Sequence, residues 1–113
     1  MDDLVRSLRR FVKERDWEQF HSPKNLSMAL SVEAAEIVEG FQWLTEEQSR
    51  NLSPEKRQAL AEEIGDVLIY LTMLADKFGI EPINAAKEKM KKNIVKYPAG
   101  KVKGKSDKYT EYQ

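Results

Sequence analysis

The chain has 113 residues, of which 34% are charged and 41% hydrophobic, and this length favours a single domain with one core. Its nineteen basic and nineteen acidic residues cancel, which argues against a protein that binds a nucleic acid polymer through the phosphate backbone. The absence of cysteine excludes disulfides and thiolate metal sites, and no transmembrane run or signal-peptide pattern is present, so we expect a cytoplasmic protein without a membrane partner.

The charge is unevenly distributed along the chain. Residues 81–113 carry nine lysines against four acidic residues, and residues 1–80 therefore carry a surplus of acidic residues. An acidic body with a basic C-terminal segment suits a site for a metal ion and phosphate, although a solvated tail has the same pattern.

The first half of the chain predicts two helices. The first runs from Asp2 or Asp3 to Phe20, and Pro23 then breaks the chain. The second occupies residues 25–41, with Asn25 or Ser27 near its cap. A polar connection over residues 44–53 has room for one helical turn. The inward positions of the first helix are Leu4, Leu8, Phe11 and Val12, and those of the second are Leu26, Leu30, Ile37 and Phe41.

The second half predicts two further helices. The third begins at Ser53-Pro54, with serine as N-cap, and runs to Phe78 with Gly79 at C′; the fourth runs from Glu81-Pro82 through Lys96. Residues 99–113 lack an apolar stripe, so we expect a flexible basic tail after a helical domain spanning residues 1–98. The inward stripes are Leu60, Ile64, Val67, Leu71 and Phe78 on the third helix, and Ile83, Met90 and Ile94 on the fourth.

Four helices with short connections predict an all-α four-helix bundle. Ile69 and Met73 lie opposite the stripe of the third helix and indicate a second buried face, which we interpret as a subunit contact.

Acidic residues interrupt the apolar faces of two helices. Glu33 lies inside the apolar arc of the second helix with Glu36 one turn later, and Glu63 and Asp66 repeat the spacing on the third. A lone pair of this kind is usually an ordinary surface feature. Two pairs on core-facing sides favour a site for a divalent cation such as Mg²⁺, because buried carboxylates need a partner.

A carboxylate di-iron protein is an alternative interpretation of inward acids. That class expects Glu-x-x-His on two helices, whereas this chain has one histidine, His21, spaced i, i+3 from Glu18. Iron is therefore disfavoured.

The fourth helix and the aromatic residues add features of a nucleotide site. Lys89, Asn93 and Lys96 flank the apolar stripe, with Tyr97 close by, and such side chains can bind phosphate, sugar or base. Trp17, Phe20, His21 and Trp43 lie at the ends of the first two helices, where aromatic residues either pack against neighbours or stack on a nucleobase. Cation ligands, lysines and aromatic residues together describe a nucleoside triphosphate site.

Four segments, in order, carry a family resemblance over residues 8–98. The ExxE…ExxD pattern resembles the signature of the MazG-like all-α nucleoside triphosphate pyrophosphohydrolases. Four segments resemble, more specifically, the dCTP pyrophosphatase-like branch of this family. They are FVKERDWEQFHSPKNLSMAL, EGFQW, EEIGDVLIYL and KMKKNIVKYP.

The resemblance implies an oligomer, either dimer or tetramer, that uses Mg²⁺ to cleave a dNTP to dNMP and pyrophosphate at the α-phosphorus. It implies that Glu33, Glu36, Glu63 and Asp66 are the metal ligands and catalytic residues, with Glu33 or Glu36 as candidates for activating water. It also implies the substrate contacts Trp17, His21, Trp43, Tyr70, Asn93, Lys96 and Tyr97. Two alternatives remain. One is the same chemistry with a preference for dUTP or for a broad range of NTPs, and the other is a non-catalytic helical interaction module with a degenerate metal site.

Overall fold

The computed structural model describes residues 2–104, apart from the side chains of residues 101 and 102, and every regular element in that range is helical. The prediction of an all-α protein is confirmed, and each of the four predicted helices has a counterpart in the structure. Of the segment predicted to be a flexible tail, residues 99–102 form a short helix and residues 105–113 lie outside the described residues. The elements are α1 Asp2–Glu14, a 3₁₀ turn Glu18–Phe20, α2 Pro23–Phe41, α3 Glu46–Arg50, α4 Pro54–Asp76, α5 Pro82–Lys96 and α6 Ala99–Val102.

No helix among the described residues combines the length and the apolar character that crossing a bilayer requires. The described residues divide into two compact units, residues 2–80 and residues 81–104.

The first helix ends earlier than predicted, at Glu14 instead of Phe20. The amide of Trp17 donates to the carbonyl of Val12 at 3.0 Å, and the amide of Asp16 donates to the carbonyl of Lys13 at 3.1 Å. Asp16 has φ 52°, so it occupies the left-handed position of a Schellman-type helix end. The position is usually glycine, and aspartate is among the few residues that tolerate it, so the sequence lacked the usual stop signal.

Phe11 is also exposed, at 44%, although it was predicted to point inward. Its ring meets the ring of Trp17 edge-on, with centroids 5.6 Å apart and an interplanar angle of 73°, and the guanidinium of Arg15 lies 3.7 Å from its centroid. The early helix end brings Trp17 back onto Phe11, so these side chains form a surface cluster instead of entering the core.

The second helix begins two residues earlier than predicted. Pro23 does not break the chain but occupies the first helical turn, and the Ser22 hydroxyl accepts a hydrogen bond from the amide of Asn25 at 3.1 Å. Proline suits this position because the first helical amides have no intrahelical partner. The same arrangement, predicted correctly, begins α4, where Ser53 accepts from the amide of Lys56.

Two further helix ends follow their sequence signals. Thr45 and Gln48 form a capping box at the start of α3, inside the predicted polar connection. The amide of Ile80 donates to the carbonyl of Ala75 at 3.0 Å, and Gly79 has φ 66°. Gly79 is therefore at C′ as predicted, although the last regular residue of α4 is Asp76.

In the first unit, α2 packs along α4, and α1 packs on α4 as well. The buried side chains are Val12, Leu26, Thr72 and Ala75, so the core lies between the start of α2, the end of α1 and the last turns of α4. A bidentate ion pair fastens α1 to α4, because Nε and Nη2 of Arg9 donate to Oδ2 and Oδ1 of Asp76 at 2.8 and 2.5 Å. These hydrogen bonds lower the pKa of Asp76.

The predicted inward stripe of α4 is wrong at three of its five positions, whereas Leu60 and Val67 are half-buried. Ile64, Leu71 and Phe78 are exposed, whereas Thr72 and Ala75, on a different face, are buried. Ile69 and Met73, predicted to belong to a subunit contact, are both half-buried, and Met73 lines a cavity beside α1; their role in a subunit contact stays a prediction. Apolar residues surround most of α4, so their period does not identify the side that meets α1 and α2. The predicted stripe of α5, formed by Ile83, Met90 and Ile94, is exposed as well.

Leu26→Ala tests the position of the core. Leu26 is 1% exposed, and its truncation leaves a cavity that the packed helices cannot close, so we expect the free energy of unfolding to fall by about 2 to 5 kcal/mol. Chemical denaturation provides the measurement. The exposed Glu39 on the same helix is the control, and Glu39→Ala should change stability by no more than about 0.5 kcal/mol. Equal effects of the two substitutions would contradict this core assignment.

Candidate active site

Three carboxylates converge between α2 and α4. Glu33 and Glu36 lie one turn apart on α2, and Glu63 lies on α4 facing them. One carboxylate oxygen from each lies within 4.8 Å of the others, and all three side chains are half-buried. The packing of the two helices therefore assembles acids that are thirty residues apart in sequence.

The convergence perturbs the protonation of these groups. A hydrogen bond between two carboxyl groups requires a proton on one of them, so contact with Glu36, together with burial and contact with Glu33, raises the pKa of Glu63 to about 7. Burial and the neighbouring Glu36 also raise the pKa of Glu33, although contact with Glu63 partly opposes this. Without a bound cation, the cluster retains a proton at a pH where isolated glutamates are ionised.

The residues present fit a hard divalent cation. Oε2 of Glu33 and Oε2 of Glu63 are buried and, apart from a proton shared within the cluster itself, receive no hydrogen bond from any described residue. Buried ionised oxygens of this kind need a positive partner, and carboxylate oxygens are the ligands that Mg²⁺ prefers. Asp66, the fourth predicted ligand, is half-buried and outside this group of three, but its charge contributes to the raised pKa of Glu33.

The donor set also bears on the choice of metal. The converging group contains carboxylates alone, and His21 is not part of it. A di-iron bundle uses two histidines beside its acids, so this arrangement does not match that class.

A cavity of about 250 Å³ adjoins the carboxylates. Glu36, Glu63 and Lys56 line it, and the remaining walls are largely apolar, formed by Ile37, Phe41, Leu52 and Leu60. Lys56 was not among the site residues predicted from the sequence. Lys56 lies seven residues, or about two helical turns, before Glu63, so both residues are on one side of α4. This spacing is the sequence feature from which its position near Glu63 could have been predicted.

The remaining predicted substrate contacts are distributed over both units. Tyr70 is half-buried on α4, seven residues after Glu63 and therefore on the same side of that helix. Asn93 and Lys96 are half-buried on α5, and Tyr97 follows directly, all in the second unit. Their roles stay predictions.

The aromatic residues predicted to enclose a base do not meet within one chain. Trp17 and His21 precede α2, whereas Trp43 follows it and is 86% exposed. The nineteen residues of α2 make it about 28 Å long, which is longer than one nucleotide. His21 instead lines a cavity of about 240 Å³ with Val12, Thr72 and Asp76, and the buried Thr72 hydroxyl there has no hydrogen-bond partner among the described residues.

Comparison with known proteins identifies the family. The model of the MazG-like family matches residues 28–112, a range that includes all four predicted metal ligands, and the chain belongs to this family. The predicted resemblance to its dCTP pyrophosphatase branch is confirmed as well. The chain is 44% identical to dCTP pyrophosphatase 1 of Homo sapiens over 98% of its own length and 66% of that protein. It is 42% identical to dCTP pyrophosphatase 1 of Bos taurus over 98% of its length and 67% of that protein.

The chain thus spans about two thirds of the length of the curated relatives it matches. A solved structure of a pyrophosphatase from Archaeoglobus fulgidus superposes with a TM-score of 0.82 at 43% sequence identity. The match covers 87% of this chain and 92% of that one, so the helical fold is that of the family.

The raised pKa of Glu63 predicts an unusual pH dependence of stability. In the absence of divalent cations, the carboxyl binds a proton more tightly in the folded chain than in the unfolded chain, whose pKa is near the ordinary 4.5. Its stabilising contribution is therefore complete below that value and is lost as the pH rises through about 7. We expect the melting temperature in EDTA to fall between about pH 5 and about pH 8.

Scanning calorimetry with and without Mg²⁺ measures this dependence. Mg²⁺ should reduce the fall, because the cation replaces the proton as the neutralising partner. Glu63→Gln should flatten the profile in EDTA. A melting temperature in EDTA that rises over this range would contradict the interpretation.

Proposed function

We propose that the protein hydrolyses deoxynucleoside triphosphates to the monophosphate and pyrophosphate in the presence of Mg²⁺, with dCTP or a modified dCTP preferred. Such an activity removes unwanted nucleotides from the cellular pool. The observation that carries the proposal is the cluster of Glu33, Glu36 and Glu63 with its two unpartnered buried oxygens. The relatives named as dCTP pyrophosphatases support the base preference.

The carboxylates have two roles in this proposal. Glu33, Glu36 and Glu63, with Asp66 beside them, would hold the cation. A bound Mg²⁺ supplies charge neutralisation for phosphate oxygens and lowers the pKa of bound water. A carboxylate oxygen of Glu33 or Glu36 would orient the attacking water and accept its proton, since both lie within the converging group.

Substrate contacts follow from the predicted residues. Tyr70 lies on the side of α4 that carries Glu63, which suits a contact with the nucleotide next to its phosphates. Trp17, His21 and Trp43 are proposed to enclose the base, and Asn93, Lys96 and Tyr97 to contact sugar and phosphate. A preference for dUTP or for many NTPs is the alternative within this chemistry, because base selection depends on these contacts and not on the carboxylates.

A non-catalytic helical interaction module is the alternative from another class. The unpartnered oxygens of Glu33 and Glu63 weigh against it, because a scaffold gains no stability from burying carboxylates without partners.

Turnover of a panel of dNTPs with Mg²⁺ tests the function directly. We expect dCMP and pyrophosphate from dCTP, and release of orthophosphate or absence of turnover with every dNTP would refute the proposal. Glu63→Gln should lower kcat at least about a hundredfold, since a lost cation ligand removes several kcal/mol of charge stabilisation.

The matched control is the adjacent Glu62, which is exposed and outside the carboxylate group. Glu62→Gln should leave kcat within about twofold. Without divalent cations, Glu63→Gln should also unfold no more easily than the wild type near neutral pH, because it removes a charge that the folded chain disfavours. Lost activity accompanied by unfolding would assign Glu63 a structural role instead.

We also propose that the chain acts as a homo-oligomer, either a dimer or a tetramer. The described residues bury only three apolar side chains, and Ile64, Leu68 and Leu71 form a continuous exposed stripe at helical spacing on α4. A second copy would cover this stripe. It would also allow Trp43 of one subunit to approach the end of α2 that carries His21 in another, which the length of α2 forbids within one chain.

Light scattering tests the assembly and its surface. The wild type should have at least twice the mass of one chain. Leu68→Glu should lower the measured mass toward that of a single chain, because the substitution would bury a charge in the contact. Gln58→Glu adds the same charge at an exposed polar position of α4 and should leave the mass unchanged. A monomeric wild type would refute the oligomer.

A further inference from the structure

The cavity beside the carboxylates has lining groups of opposite charge. Glu36 and Glu63 contribute carboxylates, Lys56 contributes an ammonium group, and the remaining lining residues are largely apolar. Lys56 and Glu63 are seven residues apart, which is about 10.5 Å along α4 on the same side of the helix. The cavity therefore offers sites for a cation and for an anion on a single helix face.

Lys56 has no anionic partner among the described residues. None of the ion pairs includes it, and its one hydrogen bond is made by its backbone amide to Ser53. The ammonium is also beyond ion-pair distance of Glu36 and Glu63, although all three line the same space. A bound anionic ligand could therefore supply the ion-pair partner that Lys56 lacks within the described residues.

The apolar walls add to the attraction between an ammonium and an anion. Ile37, Phe41, Leu52 and Leu60 line the cavity and limit the water that can screen the two charges. Lys56 itself is exposed at the cavity edge, so water partly screens its ammonium group, whereas the apolar walls lower the effective dielectric constant for a phosphate that lies inside the cavity.

We propose that Lys56 binds the β- and γ-phosphates of the substrate and the pyrophosphate that leaves. This inference rests on the function proposed above. In that reaction the water oxygen forms a bond to the α-phosphorus, and the bond from this phosphorus to the bridging oxygen breaks. The electron pair stays on that oxygen, the water proton passes to a carboxylate, and Lys56 neutralises the negative charge that accumulates on the departing pyrophosphate.

Binding of pyrophosphate with Mg²⁺, measured by isothermal titration calorimetry, tests the role without requiring turnover. Lys56→Gln should weaken pyrophosphate binding by roughly ten- to a hundredfold, the size of a lost hydrogen bond between charged groups. Lys56→Arg should restore most of the affinity because it keeps the charge. The control is Arg57→Gln, at the next position of α4 and outside the cavity lining, which should bind pyrophosphate as the wild type does.

A parallel titration with dCMP distinguishes a phosphate contact from a base contact. dCMP lacks the β- and γ-phosphates, so Lys56→Gln should change its affinity less than about twofold. Pyrophosphate binding within twofold of the wild type, or a larger loss for dCMP than for pyrophosphate, would overturn the proposal. If the wild type turns over no dNTP, the proposed function fails, while the pyrophosphate titrations still decide the role of Lys56.

Steady-state kinetics supply the second measurement. Lys56→Gln should lower kcat/KM for dCTP by roughly the same ten- to a hundredfold, and it should raise the inhibition constant of pyrophosphate in proportion. An unchanged inhibition constant beside a lowered kcat/KM would contradict binding of the leaving group. Circular dichroism should show the same melting temperature for the variants and the wild type, because the side chain of Lys56 is exposed at the cavity edge.

Discussion

The mutual repulsion of three carboxylates is the constraint on which the rest of this structure depends. The contact between α2 and α4 is the most extensive in the first unit, and it brings Glu33, Glu36 and Glu63 within 4.8 Å. This packing of α2 on α4 is stable only when a proton or a cation neutralises part of the negative charge of the cluster. Stability and the proposed cation binding are therefore coupled between α2 and α4, because the carboxylates that would hold the cation also oppose the helix contact when they are all ionised.

A single chain brings together one part of the proposed site, whereas the residues of another part lie far from one another. A single chain assembles the carboxylates and the adjoining cavity with Lys56, all from α2, α4 and the residues just before α4. The aromatic residues are separated by the whole length of α2, and an apolar stripe on α4 is uncovered. The homo-oligomer proposed above would account for both observations, and in it the choice of base would depend on quaternary structure more than cation binding does.

Helix ends illustrate which local signals suffice for prediction. Ser53-Pro54 and Gly79 were predicted correctly, because a capping hydroxyl, a proline in the first turn and a glycine with positive φ each act within a few residues. The same signal at Ser22-Pro23 was interpreted as a break, although it begins α2. The end of α1 carries no glycine that could have predicted it, because Asp16 takes the left-handed conformation at that position.

The sequence by itself determined the all-helical fold, the family and the pairs of acids that share a face on each of two helices, because i, i+3 spacing fixes which side chains lie on one side of a helix. The packing of α2 on α4 decided that Glu63, and not Asp66, joins Glu33 and Glu36. Only the tertiary structure decided which face of α4 is buried. Periodicity gives the relative positions of side chains around a helix but not the direction of the neighbouring helices, and on α4 apolar residues surround most of the circumference. The same limit explains why Thr72 is in the core, why Leu71 is exposed, and why Lys56 was recognised only once the cavity beside Glu63 was known.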